Sequence, residues 1–357
     1  MTRTRTSWKF RDRSIVIGER TLIIGVLNLT PDSFSDGGKY TDPDRATHRA
    51  FELMEQGADI LDVGAESTRP GSTRLSAADE LKRLIPVLNL LRKRDFPLPI
   101  SVDTYKSEVA DAALLAGAHI INDISALSWD FGLAKVVVHY DAGLILSHVR
   151  GTPETWAKLA PIPDVMGVVI GELEASLHRA VRAGVDRRRV VLDPGLGFGK
   201  RKEQNSEILA RLAEMRKLTL PVAVGPSRKS FLAQEDPLAR EFATAAAVTA
   251  CVLGGAAMVR VHDVSAMKVA VQVADAIMQA IPEPVVATER TPVPAHAGPP
   301  REAAVPKLPR PQPGKPGPSR SVPQPPRFDP DRRRGDRGPN ADTGGRSEYR
   351  AGRRRPS

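Results

Sequence analysis

Eight short apolar runs, each stopping on or just before polar residues and each followed by helical material, set the frame of the first 263 residues. They are Leu22–Leu27, Ile60–Val63, Pro99–Asp103, Ile120–Asp123, Leu144–His148, Val190–Asp193, Pro221–Gly225 and Ala257–Asp263. Short, nearly continuous runs of Val, Ile and Leu are what a parallel strand buried on both faces requires. Apolar residues at helical spacing mark helices over 44–56, 76–93, 107–115, 165–182 and 206–215, then an Ala-rich helix and a closing helix to about Ala280. Glycines such as Gly57 and Gly117 close these helices just before the next strand. Strand and helix alternating in this way predict an α/β chain folded as a (β/α)₈ barrel. A doubly wound sheet would carry G-x-G-x-x-G after the first strand, and none stands there. Ahead of the barrel, Trp8–Glu19 alternates around Arg-Asp-Arg and predicts a β-hairpin that plugs the barrel's bottom.

Composition changes at Pro282. Beyond it the chain is rich in Pro, Arg and Gly with almost no Leu, Ile or Phe, too few apolar groups to repay the entropy of folding. The expected division is therefore a barrel over 1–281 and a disordered basic tail over 282–357. The tail holds 16 of the 52 Lys and Arg and 8 of the 42 Asp and Glu, so about +8 of the net +10 resides there. A basic, nucleic-acid-binding barrel surface is thus not supported, and any polyanion contact belongs to the tail. Cys251 is the only cysteine, which excludes an intramolecular disulfide and suits a reducing compartment. Met1–Arg13 has basic residues without an apolar core after them, unlike a signal peptide. The uncharged span 242–259 contains Thr244, Thr249 and Gly254-Gly255 and reads as a buried helix, a turn and a strand rather than a membrane span. A soluble, cytoplasmic protein without membrane insertion is expected.

Two loops carry most of the chemistry. The first strand delivers Asn28-Leu29-Thr30-Pro31-Asp32-Ser33-Phe34-Ser35-Asp36-Gly37-Gly38. The second delivers Gly64-Ala65-Glu66-Ser67-Thr68-Arg69-Pro70-Gly71. Together these stretches resemble the paired signatures of the dihydropteroate synthase family, the folate-pathway transferases that join a pterin to para-aminobenzoate. The resemblance continues in order along most of the chain, through Asp103, Asn122, Asp193-Pro194-Gly195, Ser227-Arg228-Lys229-Ser230 and Arg260-Val261-His262.

Asp103, Asn122 and Asp193 each stand at the end of an apolar run, so a barrel turns all three into one mouth. An Asp after a strand also suits capping of the following helix. The edge of an aminopyrimidinone ring pairs well with Asp and Asn. The resemblance implies that these three bind the pterin, with Asp103 also stabilising positive charge as the leaving group departs. Arg260 and His262, flanking one Val at the last strand, suit a diphosphate grip. The alternative for them is a surface ion pair with Asp263. By resemblance, Lys229 contacts the pterin carbonyl, Ser230 and its helix N-terminus receive the benzoate carboxylate, and Thr68 and Arg69 contact substrate. Phe34, Pro70 and Phe198 then form apolar walls for the benzoate ring. The resemblance also implies that Asn28 holds Mg²⁺ against the diphosphate and that the chain forms a homodimer. His148 has no second His or Cys at ligand spacing and reads as structural. Pro226 and Ser147 depart from the family's usual residues, as does the long tail.

Two other functions fit parts of this pattern. A pterin-dependent methyltransferase would have no use for Arg260, His262 and the Ser-Arg-Lys-Ser run. A non-catalytic scaffold that works through its tail would have no use for the full polar mouth.

Overall fold

The computed structural model describes residues 3, 5–30, 42–68, 71–232 and 234–280. The hairpin consists of β1 (Thr6–Phe10) and β2 (Arg13–Ile17), paired antiparallel. The strands that follow are β3 (Leu22–Asn28), β4 (Ile60–Gly64), β5 (Ile100–Asp103), β6 (Ile120–Asp123), β7 (Gly143–Ser147), β8 (Val190–Asp193), β9 (Ala223–Val224) and β10 (Met258–Val261). They pair in parallel in the order β8-β7-β6-β5-β4-β3-β10-β9. A parallel bridge between Leu192 and Val222 brings the two ends of this sheet together. The helices are α1 (Pro43–Gln56), α2 (Ala77–Lys93), α3 (Ser107–Leu115), α4 (Leu133–His139), α5 (Val165–Arg182), α6 (Lys202–Ala210), α7 (Pro237–Leu253) and α8 (Val264–Gln279). The chain is a (β/α)₈ barrel.

Strand alternation divides the core in two. Ile24, Ile60, Ile120, Ile145, Val191 and Met258 form one cluster with Trp8, Phe10 and Ile17 of the hairpin. Ile23, Leu61, Val102, Ile121, Leu144, Leu192 and Val259 pack with the helices in the other. Both faces of each strand are apolar, so the sequence shows continuous runs instead of alternation. Trp8 and Phe10 meet edge to face at 5.1 Å, and the Trp8 indole N–H donates to the Arg189 carbonyl at 2.8 Å. Burying a side chain of that size stabilises the fold by about 1.5–3 kcal/mol, so the hairpin is held as firmly as a core element.

Most predicted boundaries hold, including the helix start at 76, where the Ser76 hydroxyl accepts from the Asp79 amide at 3.1 Å. The helix expected at 206–215 instead begins four residues earlier as α6 and passes into a 3-10 helix over Leu212–Leu218. The Gln204 side chain accepts from the Arg201 amide at 3.1 Å and fixes that earlier start. Residues 242–259 resolve into the end of α7, a turn and the start of β10. Among the described residues no helix is long and apolar enough to cross a membrane. Cys251 is buried in the core, and burial pushes its thiol pKa up. The tail expected from 282 lies outside the described residues.

Candidate active site

Parallel register sets the rim of the mouth. Asn28 lies opposite Gly64, Gly64 opposite Asp103, and Asp103 opposite Asn122, so four neighbouring strands present one row. Gly64 leaves room in that row: a Cβ placed on it would meet Asn28 Oδ1 at 3.6 Å and Asp103 Oδ2 at 3.7 Å. Two oxygens therefore flank the same space. Asp123, one residue beyond Asn122, turns away from the row and accepts from the amides of Ser125 and Leu127.

Below the rim lies a charged layer. Arg260 donates through Nε to Asp62 Oδ2 at 2.6 Å and through an outer nitrogen to Asp103 Oδ2 at 2.8 Å. Asn122 Nδ2 reaches the same Asp62 oxygen at 3.4 Å. Burial works against the guanidinium's charge, but Asp62 and Asp103 overcome it and hold Arg260 protonated. Burial pushes Asp103 up to about 7, opposed by Arg260 and reinforced by the charge on Asp62. Among the described residues, Asp62 Oδ1, Asn122 Oδ1 and the Ser101 hydroxyl are buried without a partner. Unsatisfied buried acceptors cost stability, so this cluster calls for donors from outside the chain, a ligand's or water's.

The opposite wall comes from the loops after β8, β9 and β10. Asp193, buried at the end of β8, accepts from the Gly195 amide at 2.7 Å, and burial raises its pKa. The Lys229 ammonium lies 3.9 Å from the centre of the Phe198 ring. Burial and the Arg260 charge lower Lys229 to about 8, against the pull of Asp193 and Asp103. The Ser227 hydroxyl meets His262 Nδ1 at 3.0 Å and accepts from the His262 amide at 3.3 Å. Asp263 does not pair with Arg260: it caps α8, accepting from the Ala266 amide at 2.9 Å.

One cavity of about 1240 Å³ is lined by Asn28, Thr68, Asp103, Phe198, Lys229, Ser230, Arg260 and His262. Asn122 and Asp193 lie buried beside it. Phe34, Arg69 and Pro70 fall outside the described residues. Ser230 does not open a full helix as expected: it starts a 3-10 turn over Ser230–Leu232, and α7 begins only at Pro237, capped by Asp236. The strand before that segment, β9, spans two residues, and Pro226 follows it after Gly225. His148 Nε2 lies 3.0 Å from Glu172 Oε2. Among the described residues no group of three His, Cys, Asp or Glu is placed to hold a metal. The neutral oxygen of Asn28 suits a hard cation that takes its other oxygens from a phosphate and water.

Two residues escaped the sequence reading. Asp62 stands inside an apolar run, not at its end. The available signal was a carboxylate two residues from Ile60 and from Gly64, hence on the same inward face. Lys200 ends the glycine-rich loop 194–200 and stands in none of the motifs singled out, yet it is buried with its ammonium on three carbonyls.

Residues 24–262 match the family model described as a pterin binding enzyme. The dihydropteroate synthase of Synechocystis is 43% identical over 264 residues, covering 73% of this chain and 91% of that protein. A solved Xanthomonas albilineans dihydropteroate synthase with 4-aminobenzoic acid is 39% identical with a TM-score of 0.70, covering 78% of this chain and 100% of that one. The same organism's enzyme in complex with 7,8-dihydropteroate is 37% identical with a TM-score of 0.68, covering 77% of this chain and 100% of that one.

Proposed function

The chain belongs to the dihydropteroate synthase family of pterin-binding enzymes. On that premise we propose that its mouth joins 6-hydroxymethyl-7,8-dihydropterin diphosphate to para-aminobenzoate, giving 7,8-dihydropteroate and diphosphate. The supporting observation is the charged layer of Asp62, Arg260 and Asp103 with unpartnered acceptors on Asp62 and Asn122. Those acceptors match the N–H groups of an aminopyrimidinone edge. Asp193 binds the same ring, and Lys229 donates to its carbonyl.

Arg260 commits two of its nitrogens to carboxylates, and a guanidinium has five N–H donors. The rest, with His262 held upright by Ser227, grip the diphosphate. The bond from the exocyclic carbon to the diphosphate oxygen breaks, and its electron pair leaves with diphosphate. Positive charge then spreads over the dihydropterin and is stabilised by the Asp103 carboxylate. The aryl amine forms the new C–N bond with its lone pair and releases one proton. Preorganised charges of this kind are each worth on the order of 10²–10³ in rate. Asn28 is the residue that would hold Mg²⁺, which when bound sets positive charge against the diphosphate. The benzoate ring lies against Phe198, with Phe34 and Pro70 as its other walls, Ser230 at its carboxylate, and Thr68 and Arg69 contacting substrate from the second loop.

A homodimer is part of this reading. On α7, Leu238 and Phe242 are 64% and 67% exposed, and on α8 Val269, Val273 and Ile277 are 60%, 56% and 47% exposed. Spacings of four residues place each set along one stripe, as a partner surface requires. The barrel occupies 1–281 and works in the cytoplasm, with 282–357 as a separate basic tail open to polyanions. Diphosphate release from the pterin substrate, measured with and without para-aminobenzoate, tests the reaction. Release that fails to yield dihydropteroate when both substrates are present overturns it.

A further inference from the structure

Lys200 follows the glycine-rich loop after β8 and is 8% exposed. Its Nζ donates to the carbonyls of Gly195 at 2.7 Å, His148 at 3.1 Å and Phe198 at 3.3 Å. Among the described residues it forms no salt bridge, and burial lowers its pKa to about 7. A buried ammonium without a paired carboxylate costs several kcal/mol of desolvation, so the hydrogen bonds it makes must carry a purpose worth that cost.

Those bonds join two loops. His148 belongs to the segment leaving β7, whereas Gly195 and Phe198 belong to the loop leaving β8. The backbones touch there: a Cβ on Gly195 would lie 1.9 Å from the His148 carbonyl oxygen, and one on Gly199 2.3 Å from that of Arg150. Both glycines also hold positive φ, 66° and 69°. Asn205 of α6 secures the other side, accepting from the Gly197 amide at 2.6 Å and donating to the Lys200 carbonyl at 3.1 Å. Phe198 sits on this frame between Trp156, 5.4 Å away, and the Lys229 ammonium.

We propose that Lys200 is a positioning residue for the aryl-amine subsite: by tying the Gly195–Lys200 loop to the end of β7, it fixes the Phe198 ring before any substrate is bound. It touches neither substrate and acts through Phe198. The inference rests on the reaction proposed above, and Phe198 is the one benzoate wall that the described residues supply.

Lys200→Met keeps length and volume but removes the three donors. Steady-state kinetics should show KM for para-aminobenzoate raised at least about 10-fold, with kcat at saturation and the Kd of the pterin substrate within about 3-fold. A purely structural loss would reduce the active fraction, lowering kcat and leaving KM in place. An unchanged KM for para-aminobenzoate overturns the proposal. If the variant does not fold, amide hydrogen exchange on the wild-type chain decides. Gly197 and Phe198 should be protected without ligand to the same degree as with both substrates, and protection arising only on substrate binding overturns the proposal. Absence of dihydropteroate from the wild-type reaction would instead refute the catalytic reading and leave the exchange result to judge the loop.

Discussion

Asp62 and Arg260 form an ion pair at 2.6 Å that reaches across β3, because β4 and β10 are the two neighbours of that strand. The Asp62 side chain is fully buried and Arg260 is 20% exposed, so the pair lies under the rim and aims the guanidinium at the mouth. Removing one partner of such a pair leaves an uncompensated charge and costs about 3–5 kcal/mol. Asp103 retains part of the compensation, so Asp62→Asn should fold. We expect its melting temperature to fall by several degrees and kcat/KM for the pterin diphosphate to fall about 10–100-fold. Scanning calorimetry and initial rates check this, and an unchanged kcat/KM would reduce Asp62 to a structural acid.

Activity should depend on pH from both sides. Asp103 must be charged to stabilise the developing cation, and burial raises it to about 7, so activity is lost as pH falls through that value. Lys229 must be protonated to donate, and burial lowers it to about 8, so activity is lost as pH rises through that value. The pH profile of kcat/KM reports free-enzyme groups and should be bell-shaped between these limits. Asp103→Asn cannot titrate: it should lose on the order of 10²-fold in kcat and lack the acid limb. An acid limb that persists in this variant would assign it to another group.

The barrel was legible because every strand announced itself by burial on both faces, and each following loop began with residues useless to a core. Asn28, Asp103, Asn122, Asp193 and Arg260 could be singled out because each stands at or near a strand end; the structure sets Asn28, Asp103 and Arg260 in the cavity wall and buries Asn122 and Asp193. Asp62 was less legible, since an acid inside Ile60–Val63 conflicts with its apolar neighbours until a partner is known, and Arg260 is 198 residues away. Lys200 was illegible in a stricter sense. Its partners are main-chain carbonyls, and no residue type records where a carbonyl points. The start of α6 was placed four residues late because the bond that fixes it comes from the Gln204 side chain, which apolar spacing does not record.

The exposed apolar stripes on α7 and α8 should be buried between two copies of the chain. Phe242→Asp combined with Val273→Asp places charges where the partner's apolar surface would lie. Sedimentation should show a dimer for the parent chain and a monomer for this variant. Equal masses would locate the interface elsewhere.

Removing 282–357 should leave turnover and melting temperature unchanged within error. The tail lacks the apolar residues needed to pack on a barrel, and Arg332–Arg334 and Arg353–Arg355 are clusters suited to solvent or polyanions. A drop of several degrees on truncation would make the tail part of the folded unit.

The order of substrate binding follows from which parts of the benzoate slot stand ready. Phe198 is held in place by its loop, and Lys229 lies over its ring. Arg260 is neutralised by Asp62 and Asp103, so it offers a benzoate carboxylate little uncompensated positive charge of its own. The other walls proposed for the slot, Phe34 and Pro70, belong in sequence to the first and second loops, whose strands deliver Asn28 and Gly64 into the rim row. A diphosphate gripped by Arg260 and His262 beside that row gives both loops a common partner. Calorimetry should therefore show weak para-aminobenzoate binding to the free enzyme, and clear binding once diphosphate and Mg²⁺ are present together. Diphosphate alone and Mg²⁺ alone serve as controls. A ligand that completes the slot must bind the completed state preferentially, so equal para-aminobenzoate affinity in all four conditions would mean that the slot exists before the diphosphate arrives.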